Sequence, residues 1–211
     1  MVASKKKTAK KTKAPEVANV IFLLDESGSM QTGKSDTIGG FNAFINEQKK
    51  LKNKIKFSLT LFNSMKIEKR YVKVDIKDVK ELTDDTYLPA SMTPLNDAIG
   101  KTITENTDLE QALFVILTDG QENESKEYTL TAIKKLIEEK TAKGWSFLYL
   151  GVDIANYEQE AQTRGITMSV NTMRGDITGS YNKLSKTVNN YYVSDNSARA
   201  TFDAKDEFNK S

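Results

Sequence analysis

Neither cysteine nor histidine occurs anywhere in the 211 residues. Without cysteine, disulfide cross-links and thiol chemistry are excluded. Without histidine, Ser-His-Asp and Cys-His nucleophilic sites are excluded, as are histidine-based zinc sites. Any metal must then be held by oxygen, which selects Mg²⁺, Ca²⁺ or Mn²⁺ over softer ions. Long apolar runs are also missing: none approaches the roughly 18–20 residues needed to span a bilayer. The basic N-terminus, MVASKKKTAKKTKAPE, lacks the apolar stretch of a secretory signal. A chain free of cysteine suits a reducing compartment, and a cytoplasmic location is the expectation.

What is present is the mix of a soluble globular protein, 38% hydrophobic and 28% charged. The length implies one domain with tails, able to bury its own core. The formal net charge of +2 is unevenly spread. Lys5, Lys6, Lys7, Lys10, Lys11 and Lys13 precede the first apolar strand, and without them the count falls to about −4. Residues 1–16 therefore read as a basic, solvated, disordered arm. Nucleic-acid binding by counterion release would have to run through this arm, which has no interleaved aromatics for base stacking.

The near-continuous apolar run Val17 to Leu24 predicts a strand buried on both faces. Asp36 to Lys52 has the spacing of an amphipathic helix. Ile55 to Phe62 alternates, with Ile55, Phe57, Leu59 and Leu61 pointing one way, and Ile67 to Ile76 alternates again. With a tight turn at Asn63-Ser64, the two form an antiparallel hairpin. A polar loop, Asp84 to Thr93, leads to a helix whose first residue is Pro94 and which ends near Glu105. Further strands are expected at Ala112–Leu117, Trp145–Val152 and, at an edge, Ile166–Val170. Further helices are expected at Thr129–Lys143, Tyr157–Thr163 and Ile177–Tyr191, and residues 194–211 read as a polar, loosely docked tail. Strands alternating with helices imply an α/β fold, a doubly wound and mostly parallel open sheet with helices on both faces and one antiparallel strand. Ligands of such sheets lie outside the carboxyl ends of the strands, where the strand order reverses.

Three segments put hard oxygen at that edge: Asp25-Glu-Ser-Gly-Ser29, Thr93-Pro-Leu, and Thr118-Asp-Gly120. Asp25, Ser27 and Ser29 alternate along a turn, and Gly28 lets the backbone bend between them. Mg²⁺ takes six oxygens and keeps several waters, a demand that hydroxyls and carboxylates from these segments can meet. Taken singly, each segment is more often a turn or a helix cap than a metal-binding element. Their order and their placement at strand ends distinguish them. Asp97 reads as a helix-surface or capping residue, and Asp153 as the N-cap of the following helix.

In these motifs the chain resembles a von Willebrand factor A domain, whose metal-ion-dependent adhesion site combines Asp-x-Ser-x-Ser with a distant Thr and a distant Asp. Phe22-Leu-Leu-Asp-Glu-Ser-Gly-Ser-Met30, Met92-Thr-Pro-Leu-Asn-Asp-Ala-Ile99 and Val115-Ile-Leu-Thr-Asp-Gly120 carry the resemblance, which spans residues 17–193. It implies that Ser27 and Ser29 ligate a cation through their hydroxyls. Asp25 and Thr93 would bind directly or through water, and Asp119 through a bridging water. The implied cation is Mg²⁺, with Mn²⁺ or Ca²⁺ as alternatives. The implied function is non-catalytic protein binding, a Glu or Asp of the partner completing the coordination. The family often has glycine before the threonine loop, where this chain has Ser91-Met92. A domain without cysteine and with a Lys-rich arm resembles the standalone intracellular members found in bacteria and phages.

Two alternatives come from other classes. A haloacid dehalogenase-type phosphohydrolase would use Asp25 as nucleophile with Mg²⁺, but needs a general acid at the position held by Ser27. A nucleic-acid-associated or virion structural protein would act through the basic arm. Phosphate-binding loop and dinucleotide-binding glycine motifs are absent from the sequence.

Overall fold

A computed structural model describes residues 17–52, 54–194, 198 and 202–210; the basic arm expected over 1–16 lies outside the described residues. Six strands form one sheet: β1 (Ala18–Asp25), β2 (Ile55–Asn63), β3 (Lys66–Asp75), β4 (Leu113–Thr118), β5 (Ser146–Val152) and β6 (Ser169–Thr172), in the order β3-β2-β1-β4-β5-β6. All neighbours pair in parallel except β2 and β3, the expected antiparallel hairpin. Strand order reverses between β1 and β4, which are in register from Val20↔Leu113 to Leu24↔Leu117.

The period of two sorts the side chains of the central strands into two cores. Val20, Phe22 and Leu24 of β1 face one layer, with Leu113, Val115 and Leu117 of β4. Helices α1 (Lys34–Lys50) and α5 (Ile177–Val193) cover that face, through Phe41, Phe44 and Ile45 from the first and Tyr181, Leu184 and Val188 from the second. Ile21 and Leu23, with Phe114 and Ile116, face the opposite layer. There α2 (Leu95–Glu105), α3 (Leu130–Ala142) and α4 (Tyr157–Thr163) supply Ile99, Ile103, Ile133, Ile137 and Ala161. Both faces being covered is why β1 and β4 read as unbroken apolar runs. No helix among the described residues is long and apolar enough to cross a membrane.

Several local expectations shift. A 3₁₀ segment, Gly28–Gly33, intervenes before α1, so that helix starts at Lys34 rather than Asp36 and stops at Lys50. The hairpin turns at Ser64-Met65, because the Asn63 carboxamide oxygen accepts from the amides of Met65 at 2.9 Å and Lys66 at 3.1 Å. Pro94 stands one residue before α2, with ψ at 62°. The edge strand begins at Ser169, not Ile166: the Ile166 amide closes α4 on the Ala161 carbonyl at 3.0 Å, and its side chain joins the core. Within the expected polar tail, Ala204–Lys210 forms a helix, α6, with Ala204 and Phe208 buried beside α5. That pair is spaced i, i+4 and shares one helix face, a signal hidden by the polar composition around it.

Candidate metal centre

β1 ends at Asp25 and β4 at Thr118, side by side at the sheet's carboxyl edge where strand order reverses. The Thr118 hydroxyl donates to Asp25 Oδ2 at 2.5 Å, and the Ser27 amide donates to Asp25 Oδ1 at 2.7 Å. Asp25 is fully buried. Burial pushes its carboxyl up to about 7, outweighing the hydrogen bonds from Thr118 and Ser27 that favour the ionised form. A carboxylate placed here lacks positive charge close enough to offset its desolvation.

The chain then turns so that the two serine hydroxyls meet, Ser27 Oγ lying 3.1 Å from Ser29 Oγ. Ser29 donates to Asp119 Oδ1 at 2.5 Å across 90 residues of sequence. Thr93 arrives from the loop before α2. Its amide donates to Asn123 Oδ1 at 2.8 Å, and the Asn123 amide returns a bond to the Thr93 carbonyl at 3.2 Å. Its hydroxyl lies against Gly120, where an added Cβ would sit 2.8 Å from Thr93 Oγ1. The missing side chain at 120 is what admits the Thr93 hydroxyl at the end of β4. Ser27, Ser29 and Asp119 are thus directly linked, Asp25 joins through Ser27, and Thr93 packs against Gly120, the residue after Asp119.

The loop of Asp25 to Ser29 is clamped to the loop before Thr93. Gly28 donates to the Ser91 carbonyl at 2.9 Å, and Ala90 donates to the Glu26 carbonyl at 2.9 Å. Ser91 has φ at 68°, the left-handed region, at a place where glycine would be unstrained. Glu26, read only as a spacer within the motif, is fully buried. Its Oε1 accepts from the Leu88 amide at 2.7 Å, and its Oε2 pairs with Lys66 Nζ at 3.1 Å.

Two other acidic residues take different parts from those expected. Asp97 is buried rather than on the helix surface; it accepts from the amides of Lys126, Glu127 and Tyr128 at 2.8–2.9 Å. It thereby anchors the loop that carries Asn123. Asp153 does not cap α4, which starts behind Asn156. It sits at φ 53° and accepts from Arg174, from the amide and from Nε, both at 3.0 Å. Arg174 reaches on to Asp119 Oδ2 at 3.0 Å and to the Ser29 carbonyl at 3.2 Å. It was not singled out from the sequence; its signal is a lone arginine just past the end of β6, on the same sheet edge.

The donors fit a hard dication. They are hydroxyls and carboxylates only, Ser29 touches both Ser27 and Asp119, and the buried Asp25 calls for positive charge. Among the described residues no cluster of three or more carboxylates that could hold a metal occurs. The edge is therefore rich in neutral oxygen rather than charge.

A family model described as von Willebrand factor type A domain matches residues 19–202. Among solved structures, proximal thread matrix protein 1 from the mussel byssus, with a zinc-occupied MIDAS motif, aligns with TM-score 0.58 at 14% identity, covering 83% of this chain and 48% of that one. The von Willebrand factor type A protein from Catenulispora acidiphila aligns with TM-score 0.56 at 10% identity, over 80% and 42%. The manganese-loaded TRAP protein of Plasmodium vivax aligns with TM-score 0.52 at 15% identity, over 80% and 73%. At such identities the likeness is one of fold, and this chain spans less than half the length of the mussel protein. No curated protein matches the chain by sequence.

Proposed function

We propose that this chain, which belongs to the von Willebrand factor type A domain family, holds one divalent cation at the strand edge and uses it to bind a protein partner. The observation that carries this reading is the contact between Ser29 Oγ and Asp119 Oδ1 at 2.5 Å, with Ser27 Oγ 3.1 Å further along. Ser27 and Ser29 would hold the ion directly, Asp25 and Thr93 directly or through water, and Asp119 through a bridging water. Mg²⁺ is the expected cation, with Mn²⁺ or Ca²⁺ as alternatives. When bound, the ion supplies an electrophilic position that few carboxylates saturate.

The chain's own residues set what that position accepts. Asp25 and Asp119 are the two carboxylates among the five donors, so the ion keeps much of its charge and favours an incoming Glu or Asp. The clamp of Gly28 on Ser91 and the Asn123–Thr93 pair fix the hydroxyls in advance, which lowers the ordering cost of binding.

The chemistry of the site disfavours the phosphohydrolase alternative. Asp25 is buried with both oxygens accepting hydrogen bonds, and Ser27 stands where an acid would have to protonate a leaving group. The reading is therefore of a non-catalytic module. A cytoplasmic location belongs to the same proposal and is checked by fractionating the native cell.

Capture of proteins from the native cell by the tagged chain, in Mg²⁺ and in EDTA, tests the function beside Thr93→Ala. A protein retained only with Mg²⁺ and lost with Thr93→Ala is the expected result. A partner indifferent to both rejects the metal bridge. Loss on deleting residues 1–14 instead would transfer the function to the basic arm.

A further inference from the structure

Arg174 makes contacts that a surface arginine does not need. Its Nη2 donates to Asp119 Oδ2 at 3.0 Å and its Nη1 to the Ser29 carbonyl at 3.2 Å, so one guanidinium straddles two residues of the metal centre. Asp153 holds the other side, through Nε and through the Arg174 amide, both at 3.0 Å. Gly33 packs against the arginine stem, its missing Cβ leaving 3.3 Å to Cγ. Asp119 has no exposed side-chain surface in this arrangement, while Arg174 keeps 27% of its own. Asp119 thus spends one oxygen on Ser29 and the other on a cation that the chain itself provides.

Resting on the metal-site reading, we propose that Arg174 is a resident counter-cation of the centre, which a divalent ion must share Asp119 with or displace. The guanidinium neutralises one of the two donor carboxylates before metal arrives. It also repels a dication only a few ångströms away at a partly exposed edge, where the interaction is weakened but not abolished by solvent. Both effects weaken the hold on bare metal and raise the worth of a carboxylate brought by the partner. Coupling runs both ways: if Arg174 weakens metal binding, metal weakens the grip of Arg174 on Asp119 by the same factor. The segment Met173–Asp176, which carries Arg174 into α5, then loosens when metal binds.

Binding of Mn²⁺ alone to the full chain, followed by electron paramagnetic resonance, tests this beside Arg174→Ala and Arg174→Lys. Arg174→Ala should bind Mn²⁺ roughly tenfold more tightly than the wild type. Arg174→Lys, which keeps the charge but not the fork, should fall between the two. Amide exchange at residues 173–177 should rise with Mn²⁺ in the wild type and be fast and insensitive to Mn²⁺ in Arg174→Ala. Equal or weaker Mn²⁺ binding by Arg174→Ala, with its melting temperature unchanged, overturns the inference and leaves the metal site standing. Absence of Mn²⁺ binding in both the wild type and Arg174→Ala overturns the inference and the metal reading together.

Discussion

The Gly28 amide donates to the Ser91 carbonyl at 2.9 Å, joining the loop of Ser27 and Ser29 to the loop of Thr93. Holding that bond puts Ser91 at φ 68°, a conformation that costs a residue with a Cβ about 1–2 kcal/mol. The Ser91 hydroxyl, 2.5 Å from that of Ser64, offsets part of this. Ser91→Gly should therefore stay within about 1 kcal/mol of the wild type, strain relief balancing the lost hydroxyl pair and a freer unfolded chain. Ser91→Val, β-branched in the left-handed region, should lose about 2 kcal/mol or more. Urea denaturation distinguishes them, and equal stability of the two variants would show that the loop carries no such strain.

Gly120→Ala separates site from fold. The new methyl would sit 2.8 Å from Thr93 Oγ1 and force that hydroxyl out of its present place. The cost to stability should be about 1–2 kcal/mol, as for a single crowded methyl. Retention of the partner in Mg²⁺ should fall to the EDTA level. Full retention with the fold intact would remove Thr93 from the donor set.

Asp97 organises the site at a distance. Replacing it with alanine strands three amides that now share one carboxylate, those of Lys126, Glu127 and Tyr128. The expected loss is about 3 kcal/mol in chemical denaturation. Because the same loop carries Asn123, which receives the Thr93 amide, amide exchange at Thr93 should quicken as well. An Asp97→Ala protein within about 0.5 kcal/mol of the wild type would contradict this account.

Glu68 gives a pH signature away from the candidate metal centre. The hydrogen bond from Lys66 at 2.8 Å, with Arg70 beside it, holds its carboxyl below the usual value of 4.5. A folded value below the unfolded one means stability that is present above 4.5 and is lost as pH falls through the lowered value. The pair is partly exposed, so its contribution is about 0–1 kcal/mol. Glu68→Gln should therefore melt slightly below the wild type at pH 7, and the gap should close as acidification protonates Glu68 in the folded chain. A gap that stays unchanged however far the pH is lowered would assign the effect to packing.

The sequence made the buried strands legible because strands covered on both faces are apolar on both faces through their middles, and β1, β4 and β5 are such strands, with polar residues confined to their ends. It made the oxygen cluster legible because Asp25, Ser27, Ser29, Thr93 and Asp119 lie at strand or helix ends within short patterns. Arg174 was not legible. Its partners Asp119 and Asp153 are supplied by strand pairing and not by neighbouring sequence. Glu26 was passed over for a related reason: its burial depends on loop 86–92 folding back over it, which no local periodicity encodes. Helix α6 was hidden by composition, since two apolar residues on one face suffice when α5 is already there to receive them.

Parallel strands cannot be joined by a tight turn, so the pairing of β1 with β4 waits on a long stretch of chain. Asp25, Ser27 and Ser29 emerge from the ribosome well before Asp119, which lies 90 residues beyond Ser29, and Arg174 emerges later still. A chain that stops before Asp119 accordingly owns part of the proposed donor set without the carboxylate that Ser29 reaches. On the proposed function, partner capture would then report that β4 has been made and paired: copies ending before Asp119 would stay silent instead of competing for the same target.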